Sequence, residues 1–392
     1  MVSMALSDGI YHRQSLIQRN GRVWNQDSLA NSRALLCGAG NIGCPLAVAL
    51  AQTGFGAIDI LDKDVVSLPN LSRGVGIFRR TDLNKPKAQV LAARLQEINP
   101  DIQVQGIVAD LRWDFGTGRF REYDIILLAT HDLASRRHVN KFAHLFPGRT
   151  QAIIDGAIAD LSFSMQTILP GQTPCYSCSL PPDTTDPEAY QGCNGVVSER
   201  TTPPAATNGI DGMAVAALMA KEAALLTAGL EPFFAGREFR FDGAAGVADV
   251  IRRTWRASCA EHRRTGAEEV VILPYSRNTR IAQLRKSVAT RCGVGAADVR
   301  IFSIELMTSR LICDCGQSMA VMRPQQAPLA PVCPACANAD PNHFRPELVF
   351  ELDDPTMAGT LEDYGVPEGQ ALEAYIGAEH YYLLPTASEE DR

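Results

Sequence analysis

Between residues 32 and 170, short apolar, β-branched runs alternate with longer stretches whose apolar residues recur at helical spacing. Ser32-Arg33-Ala34-Leu35-Leu36-Cys37-Gly38 reads as a strand that leads into a helix at 45–52, and Ala57-Ile58-Asp59-Ile60-Leu61-Asp62 reads as a second strand. An amphipathic helix is expected over 87–99, a third strand over 102–108 and further strands at 123–130 and 152–155. Strands alternating with helices of this length imply a mostly parallel sheet with helices on its faces, a doubly wound α/β domain. Residues 181–206 are rich in Pro, Thr, Gly and Asp without periodicity, which predicts a long loop crossing the surface. An alanine-rich helix at 213–226 and short closing strands within 238–251 come after it.

A boundary is expected near 263–266, giving domains over 1–265 and 266–386. The second part reads as a strand at 269–273, a helix at 281–292, a strand at 298–306, a cysteine- and proline-rich insert over 313–339 and strand-like residues at 347–352. Residues 360–373 resemble the segment of ubiquitin that leads into its last strand. This half is therefore expected to be a smaller β-grasp domain with a knuckle inserted at about 310–340.

Composition narrows the function. The 392 residues are 46% hydrophobic, and 37 basic against 44 acidic side chains leave a net charge of −7, which disfavours bulk binding of nucleic acid. A local patch such as Arg79, Arg80, Lys85 and Lys87 could still hold one phosphate group. No run approaches the roughly 18 apolar residues that span a bilayer, and the first residues have neither a basic nor an apolar leader region. A cytoplasmic protein without a membrane partner is expected. In that compartment eleven cysteines argue for metal ligands or reactive thiols instead of disulfides.

Gly38-Ala39-Gly40-Asn41-Ile42-Gly43 follows a strand and opens a helix, so its amides can face a phosphate while the helix dipole favours the negative charge. Asp62, ending the next strand, is placed to accept from ribose hydroxyls. Gly38, Gly40, Gly43 and Asp62 are the candidate nucleotide cradle. A nicotinamide or flavin enzyme would begin the same way.

Residues downstream of the cradle separate these possibilities. The run from Asp62 through Asn70 to Arg73, then Lys87 within Asn84-Lys85-Pro86-Lys87, then Asn99-Pro100, resembles the ThiF/MoeB and ubiquitin-activating-enzyme family of adenylyltransferases. Upstream, Tyr11-His12-Arg13-Gln14 is similar to the family's N-terminal arginine motif, and the resemblance covers about 10–262. It implies a Rossmann-like fold and adenylation of a carboxylate by ATP. Asp62 would hold the ribose, Asn70, Arg73 and Lys87 the phosphates, and Arg13 would reach in from the partner of a homodimer. Attack on the α-phosphate requires cations that offset charge on the phosphates and polar groups that align the nucleotide. The family's Asp-Asn-x-x-x-Arg motif is replaced by His131-Asp132-Leu133-Ala134-Ser135-Arg136. Arg136 is in register as a nucleotide contact, His131 takes the place of the Asp that holds Mg²⁺, and Asp132, one residue late, is expected to hold the ion instead.

Cys175-Tyr176-Ser177-Cys178 follows the sheet as a Cys-x-x-Cys does in this family, and Cys259-Ala260-Glu261-His262 supplies the second pair of a closed Zn²⁺ site. Cys313, Cys315, Cys333 and Cys336 have the spacing of a second, four-cysteine zinc knuckle. Cys37, Cys44, Cys193 and Cys292 remain. The first two flank the glycine loop and the last ends a helix, so all three are expected in or near the core. Cys193 lies in the long loop where the family places its thioester cysteine.

The resemblance thus implies ATP-dependent activation of the C-terminal Gly of a ubiquitin-like protein, thioester formation on Cys193 and transfer to a conjugating enzyme docked on the β-grasp domain. Two alternatives stand beside it. One is a sulfur-carrier activator without an enzyme thioester, and the other, motivated by His131, is a non-catalytic scaffold that binds a modifier and a conjugating enzyme. A fused modifier is disfavoured because the chain as given does not end in Gly-Gly.

Overall fold

The computed structural model describes residues 10–146, 148–180, 206–327, 329–352 and 359–386. Two compact units result, one of Met1–Leu111 with Phe120–Arg264 and one of Arg112–Arg119 with Thr265–Arg392.

In the first unit a short helix α1 (His12–Ser15), a hairpin of β1 (Gln18–Arg19) and β2 (Arg22–Val23) and a helix α2 (Gln26–Ala30) precede the main α/β series. That series runs β3 (Arg33–Cys37), α3 (Gly43–Thr53), β4 (Ala57–Leu61), α4 (Lys87–Ile98), β5 (Gln103–Ile107), β6 (Ile125–Leu128), α5 (Leu133–Leu145), β7 (Ala152–Ala159), β8 (Ser162–Ile168), α6 (Gly209–Thr227), β9 (Arg237–Asp242) and β10 (Val247–Arg252). The strands form one eight-stranded sheet in the order β10-β9-β8-β7-β6-β3-β4-β5. Pairing is parallel from β5 through β7 and antiparallel from β8 outward. The mostly parallel α/β fold read from the sequence is the one observed.

Burial explains why these runs are strands. Ala34, Leu36, Ile58, Ile60, Ile125, Leu127 and Ile154 join the core with Leu46, Leu50, Leu91, Leu95, Val215 and Met219 of α3, α4 and α6. The alternate positions Leu35, Ile126, Leu128 and Ile153 are equally buried, so both faces of the central strands are covered. Helix ends follow local chemistry: Gly54 closes α3 in the left-handed region, Asp132 caps α5 through Ser135 N, and Asn208 caps α6 through Asp211 N. Helix α6 begins at Gly209, four residues before the expected 213, because that cap precedes the alanine-rich run.

Two sequence motifs that lie far apart meet at the start of this unit. Asn99, buried at the end of α4, donates to the Tyr11 hydroxyl at 2.7 Å and to the Ala51 carbonyl at 2.7 Å. Gln14 donates to Gln26 and to the Thr53 carbonyl, so the Tyr11–Gln14 motif is fastened to the ends of α3 and α4.

The second unit contains β11 (Val270–Leu273), α7 (Ile281–Cys292), β12 (Val299–Cys313), β13 (Ser318–Pro324), β14 (Phe344–Glu351), β15 (Leu372–Ile376) and β16 (Glu379–Pro385). Its sheet runs β11-β16-β15-β12-β13, with β14 also paired to β12, and β11 lies parallel to β16. Ile281, Leu284 and Val288 of α7 share a core with Val271, Ile301, Leu372 and Leu383. The sequence predicts a β-grasp here; the observed unit has one strand before its helix and parallel first and last strands.

Two features of this unit were not anticipated. The strand expected to end at Leu306 continues to Cys313, and β13 lies inside the expected insert, because β12 pairs with β13 on one side and β14 on the other. Residues Arg112–Arg119 also belong here. Gly118 N donates to Gly369 O at 3.0 Å and Thr117 N to Gln370 Oε1 at 2.9 Å, and a side chain at Gly116 would meet the Glu368 carbonyl at 2.2 Å, which explains two glycines so close together.

The glycine loop that opens α3 yields a stability test. A Cβ at Gly43 would stand 1.9 Å from the Gly38 carbonyl, whereas one at Gly40 would meet nothing within 4 Å. Gly43→Ala should lower stability by about 3 kcal/mol and Gly40→Ala by less than about 1 kcal/mol, read as shifts of the urea midpoint.

Candidate nucleotide site and metal centres

The candidate site lies where β3 passes into α3. Gly38 has φ of +104°, and a Cβ there would stand 2.7 Å from the Ala129 carbonyl, so the turn is held tightly against the end of β6. Asp62, just past β4, accepts from Ala39 N at 2.7 Å through one oxygen and from Asp64 N at 2.8 Å through the other. The carboxylate therefore fixes the glycine loop, and each oxygen retains a lone pair for a further donor.

The cationic residues named from the sequence are held by neighbours. Lys87 is buried at the first turn of α4, and its Nζ lies 3.0 Å from Asp64 Oδ2. Arg73 donates through Nε to Pro69 O at 3.1 Å and through Nη1 to Thr207 Oγ1 at 2.6 Å. Asn70 accepts from Ser67 N at 2.8 Å and from Ser67 Oγ at 2.9 Å, closing the short turn over 68–72. Asp62, Asp64, Lys87 and the glycine loop thus form a connected polar rim at the ends of β3 and β4, while Arg73 is held separately by Pro69 and Thr207.

The motif after β6 is arranged differently. Arg136 is buried, paired with Asp155, and donates to Thr130 O at 2.5 Å and Gly156 O at 3.0 Å, while Gln166 donates to Asp155 at 3.1 Å. A guanidinium in such surroundings is a strut between β6, β7 and β8. Asp132 accepts from Ser135 N at 2.7 Å as the cap of α5, and His131 is exposed. Arg13 is exposed on α1. Cys193 and the crossing loop that carries it lie outside the described residues.

Among the other thiols, burial pushes Cys37 and Cys44 far above the ordinary thiol range. Cys44 also feels the Asp62 carboxylate, which opposes ionisation, and Lys87, which favours it. Both are inert core cysteines.

Two clusters have ligand geometry. Cys175 Sγ lies 3.7 Å from Cys178 Sγ and 3.7 Å from Cys259 Sγ, and Cys178 Sγ lies 3.3 Å from His262 Nδ1. Sulfurs about 2.3 Å from a tetrahedral Zn²⁺ stand about 3.8 Å apart, so the spacing fits that ion. Burial, with the neighbouring Cys178 and Cys259 adding to it, pushes the Cys175 thiol up to about 12, and a bound cation would reverse that by binding the thiolate. Glu261, between two ligands, accepts from Arg137 and Ser177 and from Asn140 at 3.3 Å, and Asn140 also accepts from Tyr176 N at 2.9 Å. These bonds hold the ligand loops from outside the cluster. In the second unit, Cys313 lies 3.6 Å from Cys336 and Cys315 lies 3.5 Å from Cys333, with all four ligand atoms of each cluster within 4.8 Å of one another. Cys313 ends β12, so the cluster sits at the tip of the β13-β12-β14 ribbon. Either cluster could bind zinc.

A mostly parallel α/β sheet with a glycine turn, an acidic residue just past the next strand and a cysteine–histidine cluster after the sheet is the arrangement expected of a nucleotide-binding fold with a candidate metal staple. Residues 11–266, more than half of the chain, match the ThiF family, and the chain belongs to that family. It is 36% identical over 153 residues to "Ubiquitin-activating enzyme E1-like" of Saccharomyces cerevisiae, covering 38% of this chain and 23% of that protein. It is 33% identical over 187 residues to "Sulfur carrier protein ThiS adenylyltransferase" of Escherichia coli, covering 48% of this chain and 72% of that protein. With "Adenylyltransferase and sulfurtransferase MOCS3" of Caenorhabditis briggsae it shares 30% over 249 residues, 62% of this chain and 57% of that protein. The chain therefore spans only part of these relatives. The structure of the microcin C7 biosynthetic enzyme MccB with N-formylated MccA aligns at a TM-score of 0.51 and 23% identity, covering 61% of this chain and 69% of that one, and shows the shared fold. No helix among the described residues is long and apolar enough to cross a membrane.

The ligand sets lead to a metal count. Protein purified without chelator should carry two zinc ions per chain by plasma mass spectrometry, with one remaining in Cys175→Ser and one in Cys333→Ser; a single ion in the unaltered chain would refute one of the two sets.

Proposed function

We propose that the chain is an ATP-dependent adenylyltransferase that activates the C-terminal glycine of a ubiquitin-like or sulfur-carrier protein. The observation that carries this reading is the polar rim of Asp62, Asp64 and Lys87 at the glycine loop, with Asn70 and Arg73 on the segment between them, in a chain of the ThiF family. Dinucleotide binding needs the loop and the acidic residue; only chemistry at a triphosphate needs the cations as well.

In this mechanism Asp62 accepts from the ribose hydroxyls while its bonds to Ala39 N and Asp64 N keep the loop amides directed at the phosphates. Lys87 leaves Asp64 for a phosphate oxygen, and Asn70 and Arg73 align the chain of phosphates. A carboxylate oxygen of the partner's terminal glycine attacks the α-phosphorus as the bond to the bridging oxygen breaks, giving an acyl-adenylate and pyrophosphate. Asp132 would hold Mg²⁺, which when bound would supply positive charge to offset that of the phosphates. Arg136 serves as the buried strut behind this wall, and Arg13 acts from the second subunit of a homodimer. Both zinc ions are structural and enter no step.

The adenylate is then taken by a thiol. In the first reading the Cys193 thiolate attacks the acyl carbonyl, AMP leaves, and the resulting thioester passes the acyl group to a thiol of a conjugating enzyme docked on the second unit, a β-grasp-like module. The resemblance to the ThiS adenylyltransferase, most of whose length the chain covers, favours a second reading in which a sulfur donor consumes the adenylate directly. A reducing, cytoplasmic setting suits both, since the thiolate ligands stay unoxidised.

ATP–pyrophosphate exchange dependent on a partner ending in Gly-Gly should be measurable and should fall by about 10²–10³-fold in Lys87→Ala. Its absence in the unaltered chain would leave only the scaffold reading. A thiol-sensitive conjugate that disappears in Cys193→Ala identifies the thioester route, and a conjugate that persists rejects Cys193.

A further inference from the structure

The segment that opens α6 is fastened to the phosphate rim at two independent points. Thr207 Oγ1 accepts from Arg73 Nη1 at 2.6 Å, and the Asn208 carbonyl accepts from Asn41 Nδ2, in the glycine loop, at 2.8 Å. Both contacts join residues far apart in sequence, one starting from Arg73 and the other from the glycine loop. Asn208 is itself fixed, because its side chain caps α6 through Asp211 N at 2.9 Å and also bonds the Asp211 carboxylate. Buried Val215, Ala216 and Met219 anchor the helix behind it. Gly212 lets the helix approach the loop, since a Cβ there would stand 2.5 Å from Asn41 Oδ1.

The bonds of Arg73 show what this fastening does. A guanidinium has five N–H groups in one plane. The Pro69 carbonyl takes the one on Nε and Thr207 takes one on Nη1, which fixes both the plane and the rotation of the group. Nη2 makes no hydrogen bond among the described residues, so this edge of the fork is presented for an anion. Asn41 Oδ1 is likewise buried without a partner among the described residues. A lysine could not be oriented in this way, because its ammonium is a point charge on a free stem.

We propose that Thr207 is a positioning residue for the phosphate site: its hydroxyl holds Arg73 in the orientation that grips the phosphates, without touching the nucleotide. The inference rests on the ATP reading and adds a residue that no motif identifies. Valine is close to threonine in shape but lacks the acceptor, and serine keeps the acceptor while losing the methyl group.

The test uses the full chain with MgATP and with adenosine, which has no phosphate, as calorimetric probes. Thr207→Val should weaken MgATP by about tenfold, as expected for a misaligned charge-assisted contact, and leave adenosine affinity and the thermal midpoint unchanged. Thr207→Ser should bind MgATP within about twofold of the unaltered chain, and Thr207→Val should cause no further loss in an Arg73→Ala background. Equal MgATP affinity in Thr207→Val and the unaltered chain overturns the inference while leaving the ATP reading intact. Parallel loss of MgATP and adenosine also overturns it, because that is the signature of a structural role. Failure of the unaltered chain to take up MgATP overturns the ATP reading itself.

Discussion

The candidate site depends on the close approach of backbone to backbone at the turn from β3 into α3. Gly38 lies against the Ala129 carbonyl, Gly43 lies against the Gly38 carbonyl, and Asp62 holds the amide between them. No side chain fits at either glycine, so the amides of the loop are set by the sheet and cannot relax away from it. The positive end of α3 then adds its field to a loop already fixed in place. Cations in such surroundings need partners, and Asp64 for Lys87 and Thr207 for Arg73 supply them.

The two sulfur clusters answer a different constraint. Each joins segments with little apolar surface: in the first unit the turn at Cys175–Cys178 and the turn at Cys259–His262, in the second the ends of a long three-stranded ribbon. A metal ion would close such segments with four short bonds, where apolar contacts would need far more chain. Glu261 shows how carefully the first cluster is supported, since three side chains donate to a carboxylate that sits beside a ligand.

Much of the fold was legible because its signals are local. The alternation of strand and helix from Arg33 to Ile154 and the glycine loop that opens α3 are written in neighbouring residues. The extension of β12 to Cys313 was not legible, because its length is set by partners on both sides, β13 and β14, which become neighbours only after folding. Residues Arg112–Arg119 escaped for the same reason: nothing in their composition shows that Gly118 bonds the backbone of Gly369.

The candidate site divides along the same line. The sequence by itself determined which chemical groups are available, namely the glycine loop, Asp62, Asn70, Arg73, Lys87 and eight candidate metal ligands, because each belongs to a short motif whose spacing is its meaning. Only the tertiary structure decided what those groups do to one another. It turned Arg136 into a buried partner of Asp155, made Asp132 a helix cap, joined Tyr11 to Asn99 and set Thr207 beneath Arg73. Hydrogen bonds and ion pairs are decided by distances of a few ångströms, and for residues a hundred positions apart those distances exist only once the chain has folded.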